Sequence, residues 1–113
     1  MKKERRGLRF AFSASAEIAP HNSPTSLVPA RVTELSLRGC FVETTASFEM
    51  RFPVLLKIYK GGECFETEAS VLYIKPTGMG LEFREMRPHL RAVLQRWVLT
   101  ALDCQLEAQQ TVR

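Results

Sequence analysis

Residues 54–74 have the sequence VLLKIYKGGECFETEASVLYI, in which two β-prone segments flank a Gly61-Gly62 dipeptide. Two consecutive glycines tolerate the positive φ angles of a two-residue hairpin turn. The segments at 54–59 and 64–74 are therefore predicted to be neighbouring antiparallel strands. This long hairpin favours an antiparallel β fold, and the rest of the sequence can be placed around it.

The sequence before this hairpin predicts a first strand and a loop. Residues 8–18 alternate between apolar and polar side chains, as expected for a strand with one buried face. The apolar positions of this segment are Phe10, Phe12, Ala14, Ala16 and Ile18. Farther along, Pro20, Pro24 and Pro29 lie in a polar stretch. Because proline cannot donate to a strand ladder, these residues predict a long exposed loop.

Three more short strands are predicted on either side of the hairpin. Residues 30–35 and 40–45 are β-prone runs separated by a tight turn, for which Gly39 is expected to adopt an unusual backbone conformation. After the hairpin, the chain turns again and residues 79–83 form the last strand. The sequence therefore predicts six strands in total.

The C-terminal segment changes period and predicts a helix at residues 88–107. Pro88 suits the first turn of a helix. The apolar residues on one helical face are Leu90, Val93, Leu94, Trp97, Val98, Ala101 and Leu102. Six strands followed by one amphipathic helix predict an all-β barrel or a strongly curved sheet. The helix would cover one opening or present its apolar face to a partner.

Length and charge restrict the class of protein. The 113 residues fit a single domain, with a basic segment at 1–9, a barrel at 10–83 and the helix at 88–107. Residues 1–9 account for the whole net charge of +4, because basic and acidic side chains balance over the remainder. A balanced body argues against a broad DNA- or RNA-binding face.

Residue types needed for metal binding, disulfides or catalysis do not occur at recognisable spacings. Cys40, Cys64 and Cys104 are odd in number, lie far apart and form no CxxC pair. His21 and His89 have no nucleophile or carboxylate partner at a known spacing. We therefore expect no metal site and no enzymatic activity. The sequence also lacks an apolar stretch of about 18 residues, so we expect a cytoplasmic protein without membrane association.

The basic N-terminal segment contains Arg5 and Arg9 in an RxxxR spacing, with Arg6 between them. A guanidinium is permanently charged and planar, so it can form two hydrogen bonds to a phosphate or to the O6/N7 edge of guanine. Taken alone, however, such a run is also typical of a solubilising tail.

A second motif is formed by residues 34–42, ELSLRGCFV. With the RxxxR spacing, this motif resembles the PilZ family, which carries RxxxR before its first strand and then Asp or Asn, one residue, Ser, two residues and Gly at the next turn. Ser36 and Gly39 match that spacing, and residues 78–83, GMGLEF, resemble the family's closing strand. The resemblance runs from Glu4 to the helix. It implies a six-stranded antiparallel β-barrel followed by a C-terminal amphipathic helix.

The resemblance also implies a receptor for the second messenger cyclic di-GMP. In the family, the two arginines contact phosphates and guanine faces, while the acidic or amide side chain, the serine and the glycine line the opposite side. The implied ligand-binding residues are Arg5, Arg6, Arg9, Glu34, Ser36, Arg38 and Gly39. Cyclic di-GMP is the implied ligand, and no other cofactor is expected.

One position departs from the family pattern and leaves a second function open. Glu34 stands where the family has Asp or Asn, so its carboxylate lies one methylene farther from the backbone. It could still accept a hydrogen bond from guanine, or it could pair with Arg9 and close the site. The latter favours a PilZ-like adaptor that acts only through protein contacts.

The residue pattern also bears on two further partners, a single-stranded nucleic acid and a second copy of the chain. A barrel that binds single-stranded nucleic acid needs exposed aromatic residues interleaved with basic ones. Here Phe10 and Phe12 lie on the apolar side of their strand, so this function is not expected. The apolar face of the helix, if it is free of the barrel, would allow a homodimer.

Overall fold

The computed structural model describes residues 9–111, with side chains as far as residue 104. The elements are β1 (Phe10–Pro20), β2 (Val28–Leu35), β3 (Gly39–Thr44), β4 (Pro53–Lys60), β5 (Glu63–Lys75), β6 (Gly78–Phe83) and α1 (Pro88–Thr111). The strands form a closed barrel in the order β1-β2-β3-β6-β5-β4, with every neighbouring pair antiparallel. The prediction of a six-stranded antiparallel barrel with one C-terminal helix is thus confirmed.

The β4–β5 hairpin has the turn that its two glycines predict. Gly61 and Gly62 have φ angles of 59° and 83°, and Lys60 pairs with Glu63 across the turn. Gly39 differs from the prediction, because its φ is not in the left-handed region. A Cβ atom there would instead overlap the carbonyl oxygen of Leu81 on β6. Gly39 is therefore required by the close approach of β3 to β6.

The loop between β1 and β2 is shorter than the prolines predict. Pro20 is the last residue of β1 and pairs with Val54, while Pro29 lies in β2 and pairs with Glu17. Only residues 21–27 lie outside the strands. Both prolines are near strand ends, where a missing N–H is tolerated, so the expectation that they exclude a ladder is wrong here.

The barrel is filled by the apolar face of each strand. The alternation along β1 is confirmed, since Phe10, Ala14, Ala16 and Ile18 are buried. Other fully buried side chains that fill the interior are Val32, Leu35, Val42, Val54, Leu56, Ile58, Phe65, Val71 and Met79. Burial of large apolar side chains, at about 1.5–3 kcal/mol each, is the main favourable contribution to folding here.

Helix α1 packs its apolar face against β1 and β5. Leu94, Trp97 and Val98 are buried, and the ring of Trp97 lies 5.6 Å from that of Phe12 and 5.9 Å from that of Phe65. These residues of the face therefore belong to the core of this chain.

Helix α1 is longer at its C-terminal end than the sequence predicts. The helix continues to Thr111 and not only to residue 107, because Ala108, Gln109 and Gln110 are compatible with a helix and no Gly or Pro interrupts them. Within residues 9–111, no helix combines the length and apolar content needed to cross a membrane.

Candidate functional site

A row of four residues crosses the outer face of the barrel. Glu34 on β2 pairs with Phe41 on β3, Phe41 pairs with Gly80 on β6, and Gly80 pairs with Tyr73 on β5. The row thus joins four neighbouring strands at the level where β2 ends. Its two ends are a carboxylate and a phenol, with an aromatic ring and a glycine between them.

Arg9, directly before β1, bridges the two ends of this row. Its Nη1 atom donates to Glu34 Oε1 at 3.2 Å and to the Tyr73 hydroxyl at 2.8 Å. Its Cζ atom lies 5.5 Å from the centre of the Tyr73 ring. The hydrogen bond to Tyr73, more than that to Glu34, raises the pKa of Arg9 above its ordinary value, although burial opposes the rise. The guanidinium therefore remains charged at physiological pH.

The Tyr73 ring lies flat against the barrel. It stacks on Phe41 with 6.1 Å between the ring centres and 20° between the planes. Phe41 points outward and is nevertheless only 9% exposed. A Cβ atom at Gly80 would overlap the Tyr73 ring, so the missing side chain at Gly80 provides the space that the ring occupies. Lys75 places its ammonium 5.7 Å from the Phe41 ring centre.

The turn between β2 and β3 is held by the hydroxyl of Ser36. Its Oγ accepts hydrogen bonds from the backbone N–H groups of Arg38 and Gly39, both at 3.1 Å, and donates to the Gly39 carbonyl at 3.2 Å. Ser36 is buried. A hydroxyl has one donor and two acceptor positions, so all its capacity is used inside the turn.

A cavity of about 150 Å³ lies between this turn and Arg9, and Ser36, Gly39, Arg38 and Tyr73 also line it. It is smaller than the pockets of roughly 300–1,000 Å³ that enclose a drug-sized ligand. The cavity is therefore too small to enclose a dinucleotide. A larger open depression of about 910 Å³ lies at the opposite end of the β2–β3 hairpin and contains none of the predicted site residues.

Five of the seven predicted site residues meet at this end of the barrel. Arg9, Ser36, Arg38 and Gly39 line the small cavity, and Glu34 is bonded to Arg9. Predicted residues Arg5 and Arg6 lie outside the described residues.

Sequence reasoning missed Tyr73 and Phe41. Phe41 lies within the 34–42 motif but was given no role there, Tyr73 lies outside both motifs, and the strand order brings the two rings together beside Glu34 and Arg9. Across the described range of the chain, no group of His, Cys, Asp and Glu side chains is arranged to hold a metal ion.

Comparisons with known proteins place this site in context. A family model described as PilZ domain matches residues 3–100. The PilZ domain with c-di-GMP of YcgR from Escherichia coli has a TM-score of 0.72 and 16% identity, covering 97% of this chain and 98% of that one. YcgR in complex with c-di-GMP from Escherichia coli has a TM-score of 0.78 and 19% identity, and the match covers 98% of this chain and 51% of that one.

A third similar structure is the PilZ domain of CeSA from a cellulose-synthesizing bacterium. It has a TM-score of 0.68 and 17% identity, and the match covers 82% of this chain and 96% of that chain. Among curated proteins, none matches the chain significantly. At these identities the solved structures show a shared fold.

Proposed function

The chain belongs to the PilZ domain family, and from this membership we propose that it is a cyclic di-GMP receptor domain. Two structures that share its fold are complexes of YcgR with c-di-GMP. Cyclic di-GMP carries two phosphate charges and two guanines, which offer acceptors to arginine and donors to a carboxylate. The proposed role is signalling in the cytoplasm, without catalysis.

The observation that carries this proposal is that Arg9 lines the cavity beside the Ser36 turn. A guanidinium has five N–H donors, and the described hydrogen bonds of Arg9 use only Nη1. The remaining donors can fork to a phosphate or to the O6/N7 edge of guanine without displacing the bonds already made. Arg9 is thus held in place and still able to bind an anion.

The other predicted residues take separate roles in this proposal. Ser36 shapes the turn, since its hydroxyl is occupied there, and Arg38 contributes a second charge at the cavity. Gly39 keeps the turn close to β6. Arg5 and Arg6 are proposed to contact the ligand, on the family resemblance alone.

One observation favours a second candidate function. Glu34 pairs with Arg9, and a carboxylate that neutralises this arginine opposes the binding of a phosphate. The alternative is a PilZ-like adaptor that acts through protein contacts and binds no nucleotide.

A calorimetric titration of the purified protein with cyclic di-GMP separates the two functions. The receptor should bind the cyclic dinucleotide more tightly than GMP, because only the former can engage the arginines and the Ser36 turn together. A charge-assisted hydrogen bond contributes about 1.5–3 kcal/mol, so Arg9→Ala should weaken binding roughly tenfold or more. The absence of heat at about 100 μM parent protein and ligand would support the adaptor.

Arg31→Ala is the matched control for Arg9→Ala. Arg31 is an exposed arginine on β2 whose Nη1 donates to Ser13 at 2.8 Å, and it lies beside the larger depression, away from the cavity. This variant should bind cyclic di-GMP as the parent does. An equal loss in both variants would mean that net charge, and not the site, determines binding.

A further inference from the structure

We propose that Tyr73 is a positioning residue for nucleotide binding, which acts by holding the Arg9 guanidinium beside the cavity that both residues line. The inference rests on the proposed function and assigns a role to a residue outside both sequence motifs. Two distances support the inference. Arg9 Nη1 donates a hydrogen bond of 2.8 Å to the Tyr73 hydroxyl, and Arg9 Cζ lies 5.5 Å from the centre of the Tyr73 ring.

Arg9 needs such an anchor because of where it stands. It precedes the first residue of β1, and its side chain is 52% exposed. A long, exposed arginine loses rotamer freedom when it binds a ligand, and this loss weakens binding. A side chain that already holds the guanidinium removes part of that loss before the ligand arrives.

The two anchors of Arg9 differ in charge, and this difference separates their effects. Glu34 holds the guanidinium through an ion pair and thereby competes with an incoming phosphate. The hydroxyl of Tyr73 is neutral, so it fixes the position of the guanidinium without neutralising it. Tyr73 therefore assists anion binding, whereas Glu34 opposes it.

Tyr73 can serve as an anchor because its own ring is fixed. The ring stacks on the nearly buried Phe41 and occupies the space over Gly80. Aromatic stacking of this kind stabilises a ring orientation beyond simple burial of area. The hydroxyl consequently has a defined position relative to the barrel wall.

Gly80 gives a way to move the anchor without altering either bonded group. An added Cβ would lie 2.8 Å from Cδ2 of the Tyr73 ring and closer still to Cε2 and Cζ. These atoms belong to a side chain that can rotate away. At Gly39 the overlap is with the backbone of Leu81, which cannot do so. Gly80→Ala should therefore displace the ring and leave the barrel folded.

The first test compares the two tyrosines of the chain by calorimetric titration with cyclic di-GMP. Tyr73→Phe keeps the ring and removes the hydroxyl, and we expect binding about three- to tenfold weaker. Tyr59→Phe is the matched control, since its hydroxyl donates to Glu17 elsewhere on the barrel. Gly80→Ala should weaken binding to a similar degree and still melt cooperatively as a folded barrel. Parent-like affinity of Tyr73→Phe would overturn the proposal.

The second test asks whether Tyr73 acts through Arg9. In the Arg9→Ala background, Tyr73→Phe should cause no further loss, because the group that it positions is gone. A further loss of the same size there would overturn the inference and give Tyr73 a separate contact with the ligand.

The third test uses the ligand-free protein, so that it does not depend on nucleotide binding. In the parent, the Nε–Hε resonance of Arg9 should be dispersed, and in Tyr73→Phe it should move towards the value of a mobile arginine. If the parent binds no cyclic di-GMP, the proposed function fails while this shift would still support Tyr73 as the anchor of Arg9. An unchanged resonance would overturn the inference in either case.

Discussion

The guanidinium of Arg9 and the carboxylate of Glu34 form an ion pair with 3.2 Å between Nη1 and Oε1. The two side chains are 52% and 48% exposed, so solvent screens the interaction. Exposed pairs of this kind contribute about 0–1 kcal/mol. The pair is therefore weak, and the negative charge of Glu34 should lower the affinity of Arg9 for a phosphate only modestly.

The ion pair predicts that removing the Glu34 carboxylate strengthens ligand binding. In Glu34→Ala, Tyr73 still holds Arg9 while the competing charge is gone, so cyclic di-GMP should bind about two- to fivefold more tightly. Glu34→Asp should bind at least as tightly as Glu34→Ala, because its shorter side chain restores the carboxylate position typical of the family. Calorimetric titration of the three proteins checks this order. Weaker binding by Glu34→Ala would mean that Glu34 itself contacts the ligand favourably.

Gly39 should be more sensitive to substitution than Gly80. In Gly39→Ala, the new Cβ would overlap the Leu81 carbonyl, so β3 and β6 must separate. Overpacking that shifts backbone costs about 1–3 kcal/mol, and we expect the free energy of unfolding to fall by about that amount. Gly80→Ala, where the overlap is with the Tyr73 side chain, serves as the control and should lose distinctly less. Urea denaturation of both variants measures the difference, and equal losses would contradict this account.

Most of the fold could be predicted because its signals are local. The alternation along β1, the Gly61-Gly62 turn and the change of period at Pro88 each act within one element. Pro20 and Pro29 were mispredicted for a physical reason. A proline is tolerated where the partner strand needs no N–H donor from that position. This depends on how the strands pair, which the proline's own neighbours in the sequence do not show.

The candidate site could be predicted only in part, for a similar reason. Ser36 and Gly39 stand at fixed spacing within one turn, so a motif can identify them. Tyr73 reaches Arg9 only because β5 lies beside β6 and β6 beside β3 in the barrel. Such long-range pairing has no signature in the spacing of residues.

Glu63 on β5 binds two residues of α1, and we expect this attachment of the helix to weaken in acid. Its carboxylate accepts hydrogen bonds from Arg96 at 2.7 Å and from Trp97 Nε1 at 3.0 Å, and the bond from Arg96 is the main reason that the pKa of Glu63 is lowered. A group whose pKa is lower in the folded state stabilises the fold above its unfolded pKa, about 4.3. This contribution is lost as the pH falls through the lower, folded-state pKa.

Glu63→Gln tests this prediction through the single tryptophan of the chain. The parent should melt at a higher temperature than the variant at pH 7, and the difference should shrink below about pH 4. Fluorescence of Trp97 reports on helix packing during the melt. Glu66→Gln, an exposed position on the same strand, is the control and should match the parent. A difference between the parent and Glu63→Gln that stays constant with pH would show that the charge of Glu63 is not involved.

The three cysteines should differ sharply in reactivity. Cys40 is buried, and burial raises its pKa to about 12, whereas Cys64 and Cys104 are exposed. The thiolate is the reactive form, so in the native protein at pH 8 a thiol reagent should modify Cys104 fast and Cys40 not at all. Cys64 should react more slowly than Cys104, because partial burial and then Glu66 raise its pKa. Peptide mass spectrometry after timed labelling measures these rates, and a sample in urea, in which all three cysteines react, is the control. Modification of native Cys40 as fast as Cys104 would mean that β3 opens readily.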